Sequence, residues 1–125
     1  MLVSGANYVR AQRARITLLA EALAALDRCG VLVAPTAAIP APRIDVGARA
    51  IAPSGEVVNL VAAVLRFTAP FNITGQPTLA MPTGLASDGL PVSMQIIGKP
   101  FDEPAVSRVA AAYEQARGPL PTPIL

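Results

Sequence analysis

A chain of 125 residues accommodates one domain, since domains average about 150 residues. With 53% hydrophobic and 14% charged residues, against about 25% charged in ordinary soluble domains, it is too apolar to be intrinsically disordered. A net charge of +2 without a basic stripe interleaved with aromatics excludes a nucleic-acid surface, the absence of histidine removes the commonest general base and metal ligand, and the lone Cys29 excludes an internal disulfide or a multi-cysteine zinc site.

Residues 4–29 read as one amphipathic helix. Tyr8, Ile16, Leu19, Leu23 and Leu26 recur at the helical period on one face, with Arg10, Arg13, Thr17, Glu21 and Arg28 opposite. Ser4 is a capping residue and Gly30 a helix terminator. Because the arginines near the start precede no apolar run, they belong to this helix and not to a targeting segment. The run 31–34, Val-Leu-Val-Ala, predicts a strand buried on both faces in a parallel or mixed sheet, stopped by Pro35.

Residues 35–55 are rich in Pro, Ala and Gly and predict a loop; one this long is usually functional or rests on another surface. A second helix is expected after Ser54-Gly55, with Glu56 in its first turn and Leu60, Val61, Val64 and Leu65 as its apolar side. It ends or kinks before Pro70. A strand over 76–82 follows, then a turn over 83–89 marked by Asp88-Gly89, then a strand over 91–98 with Val92, Met94 and Ile96 apolar. A last helix over 102–117 is capped by Asp102, carries Pro104 in its first turn, presents Val106, Val109, Ala110 and Tyr113, and stops at Gly118-Pro119. The predicted order is α-β-α-β-β-α. The uncharged run 67–87 is long enough to span a bilayer, but Pro70, Pro77, Pro82, Gly75 and Gly84 exclude a transmembrane helix.

Chemistry-bearing residues are sparse. The serines are scattered, and Lys99, the one lysine, precedes Pro100 at a strand end, where a solvent-facing side chain is expected. Cys29 ends a helix, where the dipole disfavours a thiolate, so it is read as a small buried hydrophobe. Asp102 and Glu103 are explained by a helix start, and the glycines do not form a dinucleotide or phosphate loop. No metal and no cofactor are expected.

The run FTAPFNITGQPTLAMPTGLASDGLPVSMQIIGKPFDEPAVSRVAAAYEQ, residues 67–115, closely resembles the C-terminal part of amidase-signature enzymes, including the A subunit of the glutamyl-tRNA amidotransferase. The matching features are T-x-P-x-N-x-x-G-x-P (Thr68, Pro70, Asn72, Gly75, Pro77), the D-G-L-P-V-x-x-Q-[IL]-I-G strand (Asp88 to Gly98) and the P-F-D-E helix start (Pro100 to Glu103). Upstream, Tyr8 to Arg13 is similar to the family's Y-x-x-A-Q-x-x-R helix, and Val31 to Thr36 to its D-x-L-[VL]-x-P-T strand. These features occur in the family's own order.

The resemblance implies an α/β fold, part of the amidase-signature α/β/α arrangement with its mixed sheet, with residues 1–125 forming a single C-terminal segment. It also implies an activity, cleavage of a carboxamide C–N bond by a serine–cis-serine–lysine triad. The G-G-S-S-G-G-S loop carrying that triad has no counterpart here, and no lysine precedes Lys99. The segment is therefore expected to be inactive alone while contributing strands, packing helices and part of the substrate wall. Thr36, Ile39, Phe67, Phe71 and Asn72 are the wall candidates. Leu65 stands where the glutamine-using branch carries an acid, which argues against that branch. The expected partner is the missing N-terminal amidase portion or a second copy of the chain, in the cytoplasm, without membrane or nucleic acid. The alternative is a free-standing, non-catalytic assembly module.

Overall fold

Ser4 opens the first helix as its residue type predicts, its hydroxyl accepting from the Asn7 N–H at 3.3 Å. In the computed structural model, which describes residues 2–47, 49–52 and 54–120, this helix, α1, runs Gly5–Cys29. Gly30 closes it with φ 78°, donating its N–H to the Leu26 carbonyl at 2.8 Å. The predicted apolar stripe is covered only toward the C-terminal end. Leu26 is fully buried and Leu19 and Leu23 half-buried, but Tyr8 and Ile16 are 60% and 69% exposed. Within the chain α1 meets the end of a later helix and the first strand, and neither reaches its first turns. Cys29 is exposed, not buried as expected; its thiol donates to the Ala25 carbonyl one turn back and faces no packed core.

The three strands predicted from the apolar runs lie in one sheet: β1 Leu32–Pro35, β4 Thr78–Leu85 and β5 Pro91–Ile97, in the order β1-β5-β4. Both pairings are antiparallel, with Ala34 and Ala80 each opposite Gln95. The double burial read from residues 31–34 is therefore corrected, and their pairing is antiparallel, not parallel. β1 is an edge strand with alternating burial, and Val33 is 57% exposed. Central β5 is the doubly covered strand, with Gln95, Ile96 and Ile97 consecutively buried. β4 runs beyond its predicted end at residue 82, into the predicted turn, as far as Leu85, accommodating Pro82 at a bulge between Pro82 and Gly84. The turn proper spans Ala86–Leu90: Gly89 adopts φ 81° and the Asp88 carboxylate accepts from the Leu90 N–H.

The last helix, α4 Glu103–Arg117, keeps its predicted cap: Asp102 Oδ1 accepts from the Ala105 N–H at 3.2 Å. It lays Val106 and Ala110 on Met81 and Ile96, with Leu79, Met94, Val109 and Tyr113 around them. Burial of each such aliphatic side chain stabilises the fold by about 1.5–3 kcal/mol, so this cluster is the main core.

The stretch read as loop is more ordered than its composition suggests. A 3₁₀ turn occupies Ile44–Val46, and β2 Arg49–Ile51 pairs antiparallel with β3 Val57–Asn59. The β-branched Val57 and Val58 therefore join a strand, and the second helix starts later than expected. It is α2 Leu60–Leu65, capped by Asn59, whose Oδ1 accepts from the Ala62 N–H at 3.0 Å. Its buried residue is Ala63; Val61, Val64 and Leu65 face outward, because the short helix turns Ala63 toward Ile39 in a second cluster with Ala52, Val58 and Leu60. Pro70 does end the helical run, and it also begins α3 Ala69–Thr74, where the missing N–H leaves no bond unmade.

Candidate functional site

Beyond β1 the chain turns into residues 36–42, held by two backbone bonds: Thr36 N–H to the Ser93 carbonyl (3.0 Å) and Ala38 N–H to the Ala63 carbonyl (3.3 Å). These bonds place the loop between the open side of the sheet and α2. They frame a groove of about 760 Å³ whose walls include Val33, Pro35, Ile39, Val64, Val92 and Met94. Its lining is mostly aliphatic, with Thr83 and Ser93 as its hydroxyl residues and no charged side chain, so it suits an apolar group.

Of the five wall candidates, Ile39 lines this groove, buried at the joint with α2. Thr36 lies at the end of β1 with its backbone paired to β5 and its buried Oγ1 without a partner among the described residues. Phe67 occupies the turn between α2 and α3; its carbonyl accepts from Gln95 Nε2 at 2.7 Å, and the Arg66 guanidinium lies 5.9 Å from its ring centroid. Phe71 is half-buried on α3, its carbonyl accepting from the Gly75 N–H at 2.8 Å. Asn72 is exposed and lines a different cleft, of about 530 Å³, with Ala11, Arg15 and Leu18 of α1. Arg15 Nε fixes that second cleft by donating to the Ile73 carbonyl at 2.7 Å. Pro35, the residue before Thr36, and Phe67 thus meet at Gln95, Ile39 stands over the groove, and Asn72, with Phe71 on the same short helix, belongs to the α1–α3 side.

Gln95 stands in the sequence as the fixed Q of the D-G-L-P-V-x-x-Q-[IL]-I-G strand but was not among the candidate site residues, although it is 1% exposed and bonds both Pro35 and Phe67. A signal existed: an amide inside Val-Ser-Met-Gln-Ile-Ile interrupts an apolar run on a strand that proves to be covered on both faces.

Lys99 forms an ion pair with Asp27 on the last turns of α1, so its ammonium is engaged by a carboxylate and not by a serine hydroxyl. Among the described residues, no three His, Cys, Asp or Glu side chains stand close enough to hold a metal ion. No helix among them is long and apolar enough to cross a membrane. The clearest electrostatic pair follows the groove loop in the chain: Arg43 grips Asp45 through two bonds of 2.9 and 3.0 Å, which hold the Asp45 carboxyl below and the Arg43 guanidinium above their ordinary pKa values.

The family described as "Amidase" matches residues 2–106. An amidase of Pseudomonas putida is 43% identical over 116 residues, 92% of this chain and 24% of that protein. A fatty acid amide hydrolase of Medicago truncatula is 35% identical over 116 residues, 92% of this chain and 19% of that protein. A crystal structure of an amidase superposes with a TM-score of 0.84 at 28% identity, covering 93% of this chain and 26% of the other. The chain thus spans about a quarter or less of the length of these relatives.

Proposed function

The chain belongs to the amidase family, and from that premise we propose that it is the C-terminal portion of an amidase-type hydrolase acting on carboxamide C–N bonds. In this reading it supplies sheet strands, packing helices and part of the substrate wall, and is inactive alone. The observation that carries the proposal is the match of nearly the whole chain to one quarter of an amidase at a TM-score of 0.84.

The chemistry follows from what the residues can do. Amide cleavage through an acyl-enzyme needs a nucleophile beside a base, together with donors arranged for the developing oxyanion. The resemblance puts these in a serine–serine–lysine constellation that this sequence lacks. What the chain has is an aliphatic groove under residues 36–42. With Ile39 in its lining, Thr36 next to Pro35 in the chain and Phe67 tied to Pro35 through Gln95, it offers a wall for the apolar part of an amide. Asn72 faces the separate α1–α3 cleft, so Phe71 and Asn72 fall outside this groove. The partner in this reading is the N-terminal portion of an amidase or a second copy of the chain, in the cytoplasm.

The test is an amide-hydrolysis assay of the purified chain on small aliphatic and aromatic amides, alone and mixed with the N-terminal three-quarters of the Pseudomonas putida relative. No turnover alone and turnover on mixing is the expected pair of results. Turnover by the chain alone, abolished by Lys99→Ala, would overturn the proposal by revealing a Ser–Lys site of its own.

A further inference from the structure

We propose that Gln95 is a positioning residue that sets the two wall segments against each other: its amide nitrogen donates to the carbonyl of Pro35, where the loop 36–42 begins, and to that of Phe67, in the turn between α2 and α3. The inference rests on the reading of these segments as the substrate wall, and deepens it.

The two bonds are 3.1 Å to Pro35 and 2.7 Å to Phe67, and they span 60 and 28 residues of sequence. One side chain on central β5 therefore joins two segments that have no strand pairing with each other. Its cross-strand neighbours are Ala34 and Ala80, the smallest side chains that still carry a Cβ, which leave space for an amide at this point of the sheet. The chemistry demands a two-proton donor. Both partners are carbonyl oxygens, so a rotated amide would set Oε1 against two acceptors, and a carboxylate would do the same with charge.

The residue also carries an expense that packing alone would not retain. Gln95 Oε1 is buried without a partner among the described residues, and an unpaired buried acceptor is destabilising relative to an apolar side chain of the same shape. A methionine would fill the space without that penalty, but would leave both carbonyls unpaired and the two segments unlinked.

The experiment is backbone hydrogen exchange on the full 125-residue chain with Gln95→Met and Gln95→Glu. The reporters are the Thr36 and Ala38 amides on the loop and the Asn72 and Gly75 amides on α3, each with a defined acceptor; the Gly98 and Gly118 amides serve as controls outside the linked segments. In Gln95→Met, exchange at Thr36, Ala38 and Asn72 should rise about tenfold, with the controls within about twofold, as for local and not global opening. Equal acceleration at the reporters and the controls, or none at Thr36 and Asn72, would overturn the proposal.

Gln95→Glu keeps the test decisive should the methionine variant fail to fold. A buried glutamate facing two carbonyls has its folded pKa raised above the unfolded value near 4.3. The folded form then binds more protons, so the variant loses stability as pH rises from about 4 through its folded pKa. Below that pKa the protonated acid donates one bond, so the protection of Thr36 and Asn72 should return in part at about pH 5 and disappear at about pH 8. A variant whose wall amides do not change with pH, relative to the parent chain, would refute the role. Neither readout needs catalysis, so failure of the hydrolysis reading and failure of this one are separately visible.

Discussion

Gly98 and Val106 meet so closely that no side chain fits between them: a Cβ at Gly98 would lie 2.6 Å from Val106 Cγ2 and 3.3 Å from the Asp102 carbonyl oxygen. The contact joins the end of β5 to the first turns of α4, and the Gly98 N–H is itself bonded to the Pro77 carbonyl at 2.9 Å. Gly98→Ala should therefore destabilise the chain by about 1–3 kcal/mol, the usual range for overpacking a close contact. The double variant Gly98→Ala with Val106→Ala should lose less than the sum of the two single changes, because the second removes the clashing methyl. Urea denaturation of the four proteins measures the coupling.

Leu26 is the fully buried anchor of α1, whereas Ile16 on the same helix is 69% exposed. Leu26→Ala should cost about 2–5 kcal/mol, the range for emptying an aliphatic core site. Ile16→Ala should stay within about 0.5 kcal/mol, as for surface substitutions. Thermal melts of the two variants in parallel check the asymmetry.

Asp45 is held by Arg43 below the ordinary carboxylate pKa, and both groups are fully exposed. A depressed folded pKa makes a contribution that is complete above the unfolded value and is lost as pH falls through the folded one. Screening by solvent keeps that contribution small. The Asp45 side-chain resonance should titrate below those of unpaired aspartates, and Arg43→Ala should return it to the ordinary range. A midpoint that does not move would show that the pair does not persist in solution.

β1 and β4 each pair on one side only among the described residues, and Val33 and Leu85 on these strands are 57% and 55% exposed. An unpaired strand edge is a template for another chain, and few charges lie near these strands to prevent it. The isolated chain is expected to self-associate, most simply as a symmetric dimer, with light scattering showing a mass that rises with concentration. The N-terminal portion of an amidase should suppress that rise by occupying the same surfaces. A stable monomer at tens of micromolar would count against this expectation.

What the residues alone determined were the features controlled within a few positions of the chain. Ser4, Gly30, Asp88-Gly89 and Asp102-x-Pro104 act through local backbone bonds and fixed φ, so these helix ends and the hairpin turn were legible, and the ordered motifs around them were sufficient to identify the family resemblance. The three apolar runs were legible as strands for the same reason. Tertiary structure decided which strand was central, because double burial depends on neighbours that periodicity does not encode: the run 31–34 looked like the interior strand, yet β5 holds that place. It also decided that Val57 and Val58 pair with Arg49–Ile51 instead of entering a helix, since a three-residue strand exists only when its partner is present. Cys29 was misplaced because a small apolar residue at a helix end is buried only if something packs there. Gln95 is the clearest case. Its type announces a polar group, but the two carbonyls that give it a task come from Pro35 and Phe67, 60 and 28 residues away, and only the folded chain brings them within reach of one amide.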